Sequence, residues 1–114
     1  MSNCLFCKIA DHSIPSDIVF ENENIIAFRD IHPAAPQHVL IIPKQHISTL
    51  NDLHENHQSL IGKMIITASK LARELGFAED GYRLNFNCNE QGGQTVYHIH
   101  LHLLAGRQFS WPPG

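Results

Sequence analysis

The sequence has little charge, few cysteines and no long apolar run. Charged residues make up 17% of the 114 residues and the formal net charge is -3, which argues against electrostatic capture of nucleic acid. No apolar stretch approaches the roughly 20 residues that a membrane-spanning helix needs, so no membrane partner is expected. Residues 1–10 lack a basic flank followed by a long apolar stretch, and no signal peptide is expected there.

Only three cysteines are present, namely Cys4, Cys7 and Cys88. An odd number with one close pair is typical of a reducing compartment rather than of a disulfide scaffold, which predicts a cytoplasmic protein. Hydrophobic residues reach 43%, which is the share of an ordinary globular domain. Residues 1–114 are therefore expected to form a single domain with its own core.

Apolar patterning predicts an α+β domain with an antiparallel sheet of about five strands, one short helix and one long helix. The short helix or turn is expected within residues 3–10. A stripe of apolar residues predicts the long helix near 54–75, followed by Gly76. Asn51 or Asp52 is its expected N-terminal cap. Both helices are expected on one face of the sheet. The predicted strands are 18–21, 25–29, 38–42, 82–88 and 96–104.

Three histidines, His98, His100 and His102, occupy alternate positions near the C-terminus. In a strand, alternate side chains share one face, so the imidazoles would lie roughly 6.5 Å apart with aliphatic residues on the other face. Imidazoles titrate near neutral pH, and such a row suits proton transfer, nucleophilic attack or metal binding. A solvated strand face is the alternative, which the uniformly aliphatic opposite face disfavours.

The segment Gly92-Gly93-Gln94-Thr95 leads directly into the histidine row, and residues 89–94 are expected to form a turn. Glycines allow close backbone approach and leave N–H groups free to face an anion. The Thr95 hydroxyl and the Gln94 amide are expected at the mouth of the histidine face. Together with the imidazoles, these donors favour a phosphate site with a nucleophilic histidine.

The run from His98 to Leu104, in which three histidines alternate with apolar residues, resembles the signature of the histidine triad (HIT) family. The resemblance covers almost the whole chain and is specific to the branch of histidine triad nucleotide-binding proteins. The other matching segments are Phe28-Arg29-Asp30-Ile31, Ala35-Pro36-Gln37-His38, Ile42-Pro43-Lys44-Gln45-His46-Ile47, Gly92-Gly93-Gln94-Thr95 and Gly106-Arg107-Gln108 to Trp111-Pro112-Pro113-Gly114.

This resemblance implies a HIT-like fold and a hydrolase of purine nucleoside 5'-phosphoramidates, such as AMP joined through nitrogen to an amine. His100 would be the nucleophile that forms a nucleotidyl-histidine, and water would then release AMP. His102 and Gly93-Gln94-Thr95 would hold the phosphate, with His98 as a support. The branch commonly has serine in place of Thr95. The remaining nucleotide contacts would be Asp30 at the ribose, Asn87 at the sugar and phosphate, and Phe6, Ile9, Ile14, Phe28 and Ile31 around the purine.

The resemblance also implies a homodimer with one continuous sheet, in which the tail 105–114 brings Trp111 to the partner's active site. No cofactor would be required for catalysis. Some family members hold zinc through a Cys-x-x-Cys pair and two histidines, which implies a structural zinc site here. The alternative is that the two cysteines are small residues that pack a terminal turn. The implied ligands are Cys4, Cys7, His46 and His98.

Other interpretations stay open at this point. From the residues alone, Asp30 is equally a cap of its proline-rich loop, and the apolar residues of the purine pocket are plain core. The alternative functions are nucleotide binding or scaffolding with incidental hydrolysis, dinucleoside polyphosphate hydrolysis, and a metal-dependent oxygenase. The histidines expected on the solvated surface are His12, His32, His54 and His57.

Overall fold

The computed structural model describes residues 3–114, so Met1 and Ser2 of the predicted domain lie outside it. Five strands form one antiparallel sheet in the order β1-β2-β3-β5-β4, which confirms the predicted fold class. Within the described residues, no helix combines the length and the apolar character that crossing a bilayer requires. The elements are α1 (Leu5–Ala10), β1 (Ile18–Glu21), β2 (Ile25–Arg29), β3 (Gln37–Pro43), α2 (Gln58–Glu74), β4 (Arg83–Phe86), α3 (Asn89–Gly92) and β5 (Leu101–Ala105).

The helices cover both faces of the sheet, so the prediction of helices on one face is wrong. α2 packs through Met64, Ala68 and Leu71 on one face, whereas α1 packs through Phe6 and Ile9 on the other. The reason is visible in β2 and β3, whose apolar residues are buried on both sides instead of alternating between core and solvent. Strands that are apolar on both faces need cover on both faces.

α2 begins at Gln58, several residues later than predicted. Two 3₁₀ turns, Leu50–Asp52 and Glu55–His57, precede it, and Thr49 caps the first of them. The Asp52 carboxylate accepts a hydrogen bond from the Thr49 N–H at 3.1 Å, so it caps this earlier turn and not α2. The end of α2 is as predicted, since Gly76 has a φ of +91° directly after it.

The histidine row is not a continuous strand, because β5 begins only at Leu101. Leu101 pairs with Ile41 of β3. If the pairing continued in the same register, Ile99 would lie opposite Pro43. Proline has no N–H to donate, and the ladder ends before it. The N–H of Ile99 instead donates to the carbonyl of Ile47 at 2.8 Å. The strand predicted over 96–104 is thus wrong in its first half.

Candidate active site

A cavity of about 390 Å³ lies between α1 and the sheet face that carries His102. Its lining combines apolar side chains with polar groups, among them Asp30, Thr95, His100 and His102. All five residues predicted for the purine pocket line it, although most are also core residues: Phe6, Ile9, Ile14, Phe28 and Ile31. The two interpretations are therefore compatible for the first four of these side chains, whereas Ile31 is 85% exposed and is not a core residue.

His100 is buried with one ring nitrogen free of a proton. Its Nδ1 lies 2.8 Å from the carbonyl of His98, so Nδ1 carries the proton and donates it. In the neutral ring the lone pair is then on Nε2. Burial lowers the pKa of His100, and this keeps the ring neutral at pH 7. The ring packs against Phe6 and lies 4.9 Å from the ring of His102. His100 thus meets the requirements for a nucleophile.

A fourth histidine, His38 of β3, fixes the state of His102. The N–H of Ala34 donates to Nδ1 of His38 at 3.0 Å, so the proton of neutral His38 is on Nε2. Nε2 of His38 lies 2.9 Å from Nδ1 of His102 and donates to it. Nδ1 of His102 is therefore an acceptor, and the single ring proton of neutral His102 is on Nε2. Burial, followed by the charges of His100 and His38, lowers the pKa of His102 to about 4, so it is a neutral donor at pH 7.

Asp30 both caps its loop and lines the cavity. Its Oδ1 accepts the N–H of His32 at 2.9 Å, which is the turn-capping role. Its Oδ2 lies 3.6 Å from Nε2 of His38, and the residue lines the cavity. The two interpretations of this residue are not exclusive, because a carboxylate has two oxygens with several acceptor sites.

The segment before the histidine row differs from the prediction of free donors. Residues 89–94 contain a single helical turn, α3, and the N–H groups of Gly93 and Gln94 donate to carbonyls of that turn. The Gln94 side chain is buried and bonds the backbone of Asn89, Ser48 and Val96. A helix end consumes such groups to satisfy its last carbonyls. Thr95, in contrast, is exposed on the cavity wall.

Asn87 follows β4 and lies beside His102, but it is not among the residues that line the cavity. Its Nδ2 is 3.5 Å from Nε2 of His102, and its Oδ1 accepts from Nδ2 of Asn85 at 2.7 Å. Trp111, in the tail, is 82% exposed within the single chain.

The predicted metal ligands meet in one cluster. The four ligand atoms of Cys4, Cys7, His46 and His98 all lie within 4.8 Å of one another. Nε2 of His98 lies 2.7 Å from the carbonyl of Pro43 and donates to it, so the lone pair of Nδ1 points at the cluster. Two sulfurs and two imidazole nitrogens in this arrangement suit a tetrahedral zinc ion. Cys4 also caps α1 by accepting the Cys7 N–H at 3.3 Å, as the alternative interpretation requires.

Sequence reasoning assigned no role to His38, although its segment belongs to the resemblance. The signal lies in the strand register, since His38 is two residues from Leu40, which pairs with His102. Residues two apart on neighbouring strands share a face and contact diagonally. That contact becomes visible only when the pairing of β3 with β5 is known.

Comparisons with known proteins agree with this geometry. Residues 3–110 match the family described as "Scavenger mRNA decapping enzyme C-term binding". The purine nucleoside phosphoramidase of Escherichia coli strain K12 is 54% identical over 103 residues, covering 90% of this chain and 87% of the relative. A HIT family hydrolase from Legionella pneumophila has a TM-score of 0.96 at 61% identity, covering 98% of this chain and 100% of that structure. The chain belongs to the HIT family, in its branch of histidine triad nucleotide-binding proteins.

Proposed function

We propose that the protein hydrolyses purine nucleoside 5'-phosphoramidates to the nucleoside monophosphate and an amine. The observation that carries this proposal is the buried, neutral His100, which lines the cavity and whose Nδ1 donates to the carbonyl of His98, so that the Nε2 lone pair is left for attack. The relative from Escherichia coli named purine nucleoside phosphoramidase supports the substrate class.

The mixed lining of the cavity supports one arrangement of the nucleotide in this proposal. The purine would pack among the apolar side chains of α1 and β2, and the ribose hydroxyls would bond Asp30. The phosphate would then lie between His100 and two donors, the Nε2–H of His102 and the hydroxyl of Thr95. This order leaves the phosphorus within reach of His100.

The reaction proceeds in two displacements. The Nε2 lone pair of His100 attacks the α-phosphorus and forms a nitrogen–phosphorus bond, while the bond to the amine breaks. The bonding pair goes to the amine nitrogen, which takes a proton from solvent. Water then attacks the phosphorus, the bonding pair returns to His100, and the proton of the water goes to solvent. The carbonyl of His98 stabilises the positive charge that forms on the His100 ring, because Nδ1 donates to it.

The test is His100→Ala assayed with adenosine 5'-phosphoramidate. We expect turnover to be lost by at least about a thousandfold, because no other group supplies the nucleophile, whereas AMP binding by calorimetry is retained. His12→Asn is the matched control, since His12 lies on the surface and is expected to leave turnover unchanged. Near wild-type turnover of His100→Ala would refute the mechanism.

We also propose a structural zinc ion held by Cys4, Cys7, His46 and His98. When bound, the ion fixes His98 and therefore the carbonyl that orients His100. It supplies no catalytic chemistry, since all four of its ligands come from the protein and no position is open for substrate. Metal analysis of protein purified without added zinc is expected to find about one zinc per chain. Zinc-free protein with unchanged thermal stability after zinc addition would contradict this.

A homodimer in the cytoplasm completes the proposal. β4 is an edge strand of the sheet, and unpaired edges in stable proteins are usually covered or paired. Pairing of two β4 strands extends the sheet across both protomers and brings Trp111 towards the partner's site. Light scattering is expected to give twice the mass of one chain, and the mass of a single chain would rule the dimer out. Cell fractionation tests the location, which the cysteine pair supports.

A further inference from the structure

Cys4 and Cys7 form a Cys-x-x-Cys pair at the start of α1. Cys4 caps the helix, and Cys7 follows in its first turn, with its N–H 3.3 Å from Sγ of Cys4. Their sulfurs belong to the cluster whose ligand atoms all lie within 4.8 Å of one another. A disulfide needs a sulfur–sulfur distance of about 2.05 Å, which rotation of the side chains can reach from there. Because both cysteines belong to one end of one helix, joining them requires no change in the sheet.

The pair is open to small reagents from solvent. Cys4 and Cys7 are each partly exposed. α1 packs on β2 and β3, and β5 separates these two strands from β4. The dimer edge proposed above therefore lies away from α1, and dimer formation leaves the two cysteines accessible.

Two kinds of contact hold α1 against the rest of the molecule. Its apolar side packs on β2 and β3. Its sulfurs contact two imidazoles, since Sγ of Cys4 lies 3.4 Å from Nδ1 of His98 and Sγ of Cys7 lies 3.2 Å from Nδ1 of His46. A thiol can donate to an imidazole and a thiolate can bind zinc, whereas a disulfide sulfur carries neither a proton nor a charge. The second kind of contact therefore depends on reduced sulfur.

We propose that Cys4 and Cys7 are an oxidation site, at which a hydroperoxide converts the pair into a disulfide, expels the structural zinc ion and weakens nucleotide binding. The inference rests on the zinc and the nucleotide site proposed above. In the disulfide form His46 and His98 lose their sulfur partners, and α1 keeps only its apolar contacts. Because α1 supplies part of the wall of the cavity that His100 lines, a less ordered α1 binds a purine less tightly.

Two displacements at sulfur account for the atoms and electrons. A zinc-bound cysteine is a thiolate, which is the nucleophilic form. One thiolate attacks the hydroperoxide, so that a sulfur–oxygen bond forms, the oxygen–oxygen bond breaks, and the departing oxygen takes a proton from solvent. The second thiolate attacks the resulting sulfenic acid at sulfur, the disulfide bond forms, and hydroxide leaves and takes another proton from solvent. The two sulfurs lose two electrons, and the hydroperoxide gains them.

Hydrogen peroxide added to the reduced, zinc-loaded protein tests the inference. We expect the peptide that carries both cysteines to lose two hydrogens in mass and both of its thiols, and about one zinc ion per chain to be released. The Kd of AMP, measured by calorimetry, should rise about fivefold, as for one or two side chains that must be reordered on binding. Reductant followed by zinc should restore all three properties.

Two serine variants separate this pair from other effects of peroxide. Cys88→Ser removes the third cysteine, which lies outside the cluster, and should keep the whole response. Cys7→Ser cannot form the disulfide and lacks a zinc ligand, so its AMP affinity should be weakened from the start and unchanged by peroxide.

Three results would overturn the inference. The first is that both cysteines still react with an alkylating reagent after peroxide, and the second is a sulfinic acid on one cysteine without a disulfide. The third is a disulfide that leaves the AMP affinity unchanged, which would separate α1 from the nucleotide site. Reduced protein that binds no AMP would instead refute the proposed function, and the mass and zinc measurements would still test the oxidation site.

Discussion

At the scale of single residues, hydrogen bonds decide which nitrogen of each histidine carries a proton. His98 and His100 each donate to a backbone carbonyl, whereas His102 accepts from His38. The three histidines of the row therefore adopt two tautomers, with the proton on Nε2 of His98 and His102 and on Nδ1 of His100. His98 presents a lone pair to the cysteines, His100 presents one to the cavity, and His102 presents an N–H.

His38→Ala should lower kcat more than it changes KM, because His102 loses the donor that fixes its proton on Nε2. A lost buried hydrogen bond costs about 1–3 kcal/mol, which corresponds to roughly 5- to 150-fold in rate. Steady-state kinetics with an adenosine phosphoramidate measure both constants. His38→Gln keeps an N–H donor on a side chain of similar reach and is expected to recover part of the rate. Equal loss in both variants would show that packing, and not the donor, matters.

Much at this scale could be predicted from the sequence, but only where a motif carries the information. The side chains of the purine pocket, Asp30 and Thr95 do line one cavity, and the four predicted metal ligands do cluster. The role of His38 depends on strand register, which no local pattern contains. The sequence also did not predict that the N–H groups of Gly93 and Gln94 are hydrogen-bonded. These bonds depend on α3, a helix of only four residues.

At the scale of elements, α1 links the cluster of Cys4, Cys7, His46 and His98 to the cavity that His100 lines. A six-residue helix is too short to be stable alone, so tertiary contacts must hold it. Cys4 and Cys7 hold its first turn against His46 and His98, and Phe6 and Ile9 then form a wall of the cavity. Contacts within the cluster therefore also position the cavity wall, because one turn of helix carries both sets of side chains.

Cys4→Ser should loosen α1 and raise KM severalfold, with a smaller effect on kcat. Serine still caps the helix, because its oxygen accepts the N–H of Cys7, so the substitution removes a zinc ligand and keeps the cap. Hydrogen exchange of residues 5–10 and steady-state kinetics measure the two effects. Cys88→Ser is the matched control, since Cys88 lies outside the cluster. Unchanged exchange in Cys4→Ser would mean that packing alone holds α1.

The ends of helices and strands were predicted well where the residue that ends the element lies next to it in the sequence. They were predicted poorly where that residue lies on another element. The hairpin of β1 and β2 and the end of α2 at Gly76 follow from turn and cap residues in the sequence. The start of β5 does not, because the residue that ends its ladder is Pro43, which lies on another strand. The start of α2 was misplaced because Asp52 carries a good cap signal that an earlier 3₁₀ turn uses.

At the scale of the whole molecule, the buried histidines make stability depend on pH. Burial lowers the pKa of His38, His98, His100 and His102, and for His102 it lowers it to about 4. In the unfolded chain these rings titrate near pH 6.5. Between pH 6.5 and 4 the unfolded state therefore binds more protons than the folded state, and stability falls as the pH falls through this window.

Urea unfolding of metal-free protein at pH 7, 6 and 5 should show this loss, and His102→Gln should make it shallower. One histidine that is protonated only when unfolded contributes at most about 1.4 kcal/mol per pH unit, which bounds the difference in slope between the two proteins.

Chelator is needed in every sample, because acid would otherwise also release zinc from His98 and add a second source of instability. His32→Gln, which changes an exposed histidine, is the control and should keep the wild-type slope. Equal slopes for His102→Gln and wild type would show that folding does not lower the pKa of His102. That result would contradict the electrostatic environment described for His102, so the stability measurement tests this part of the site without a substrate.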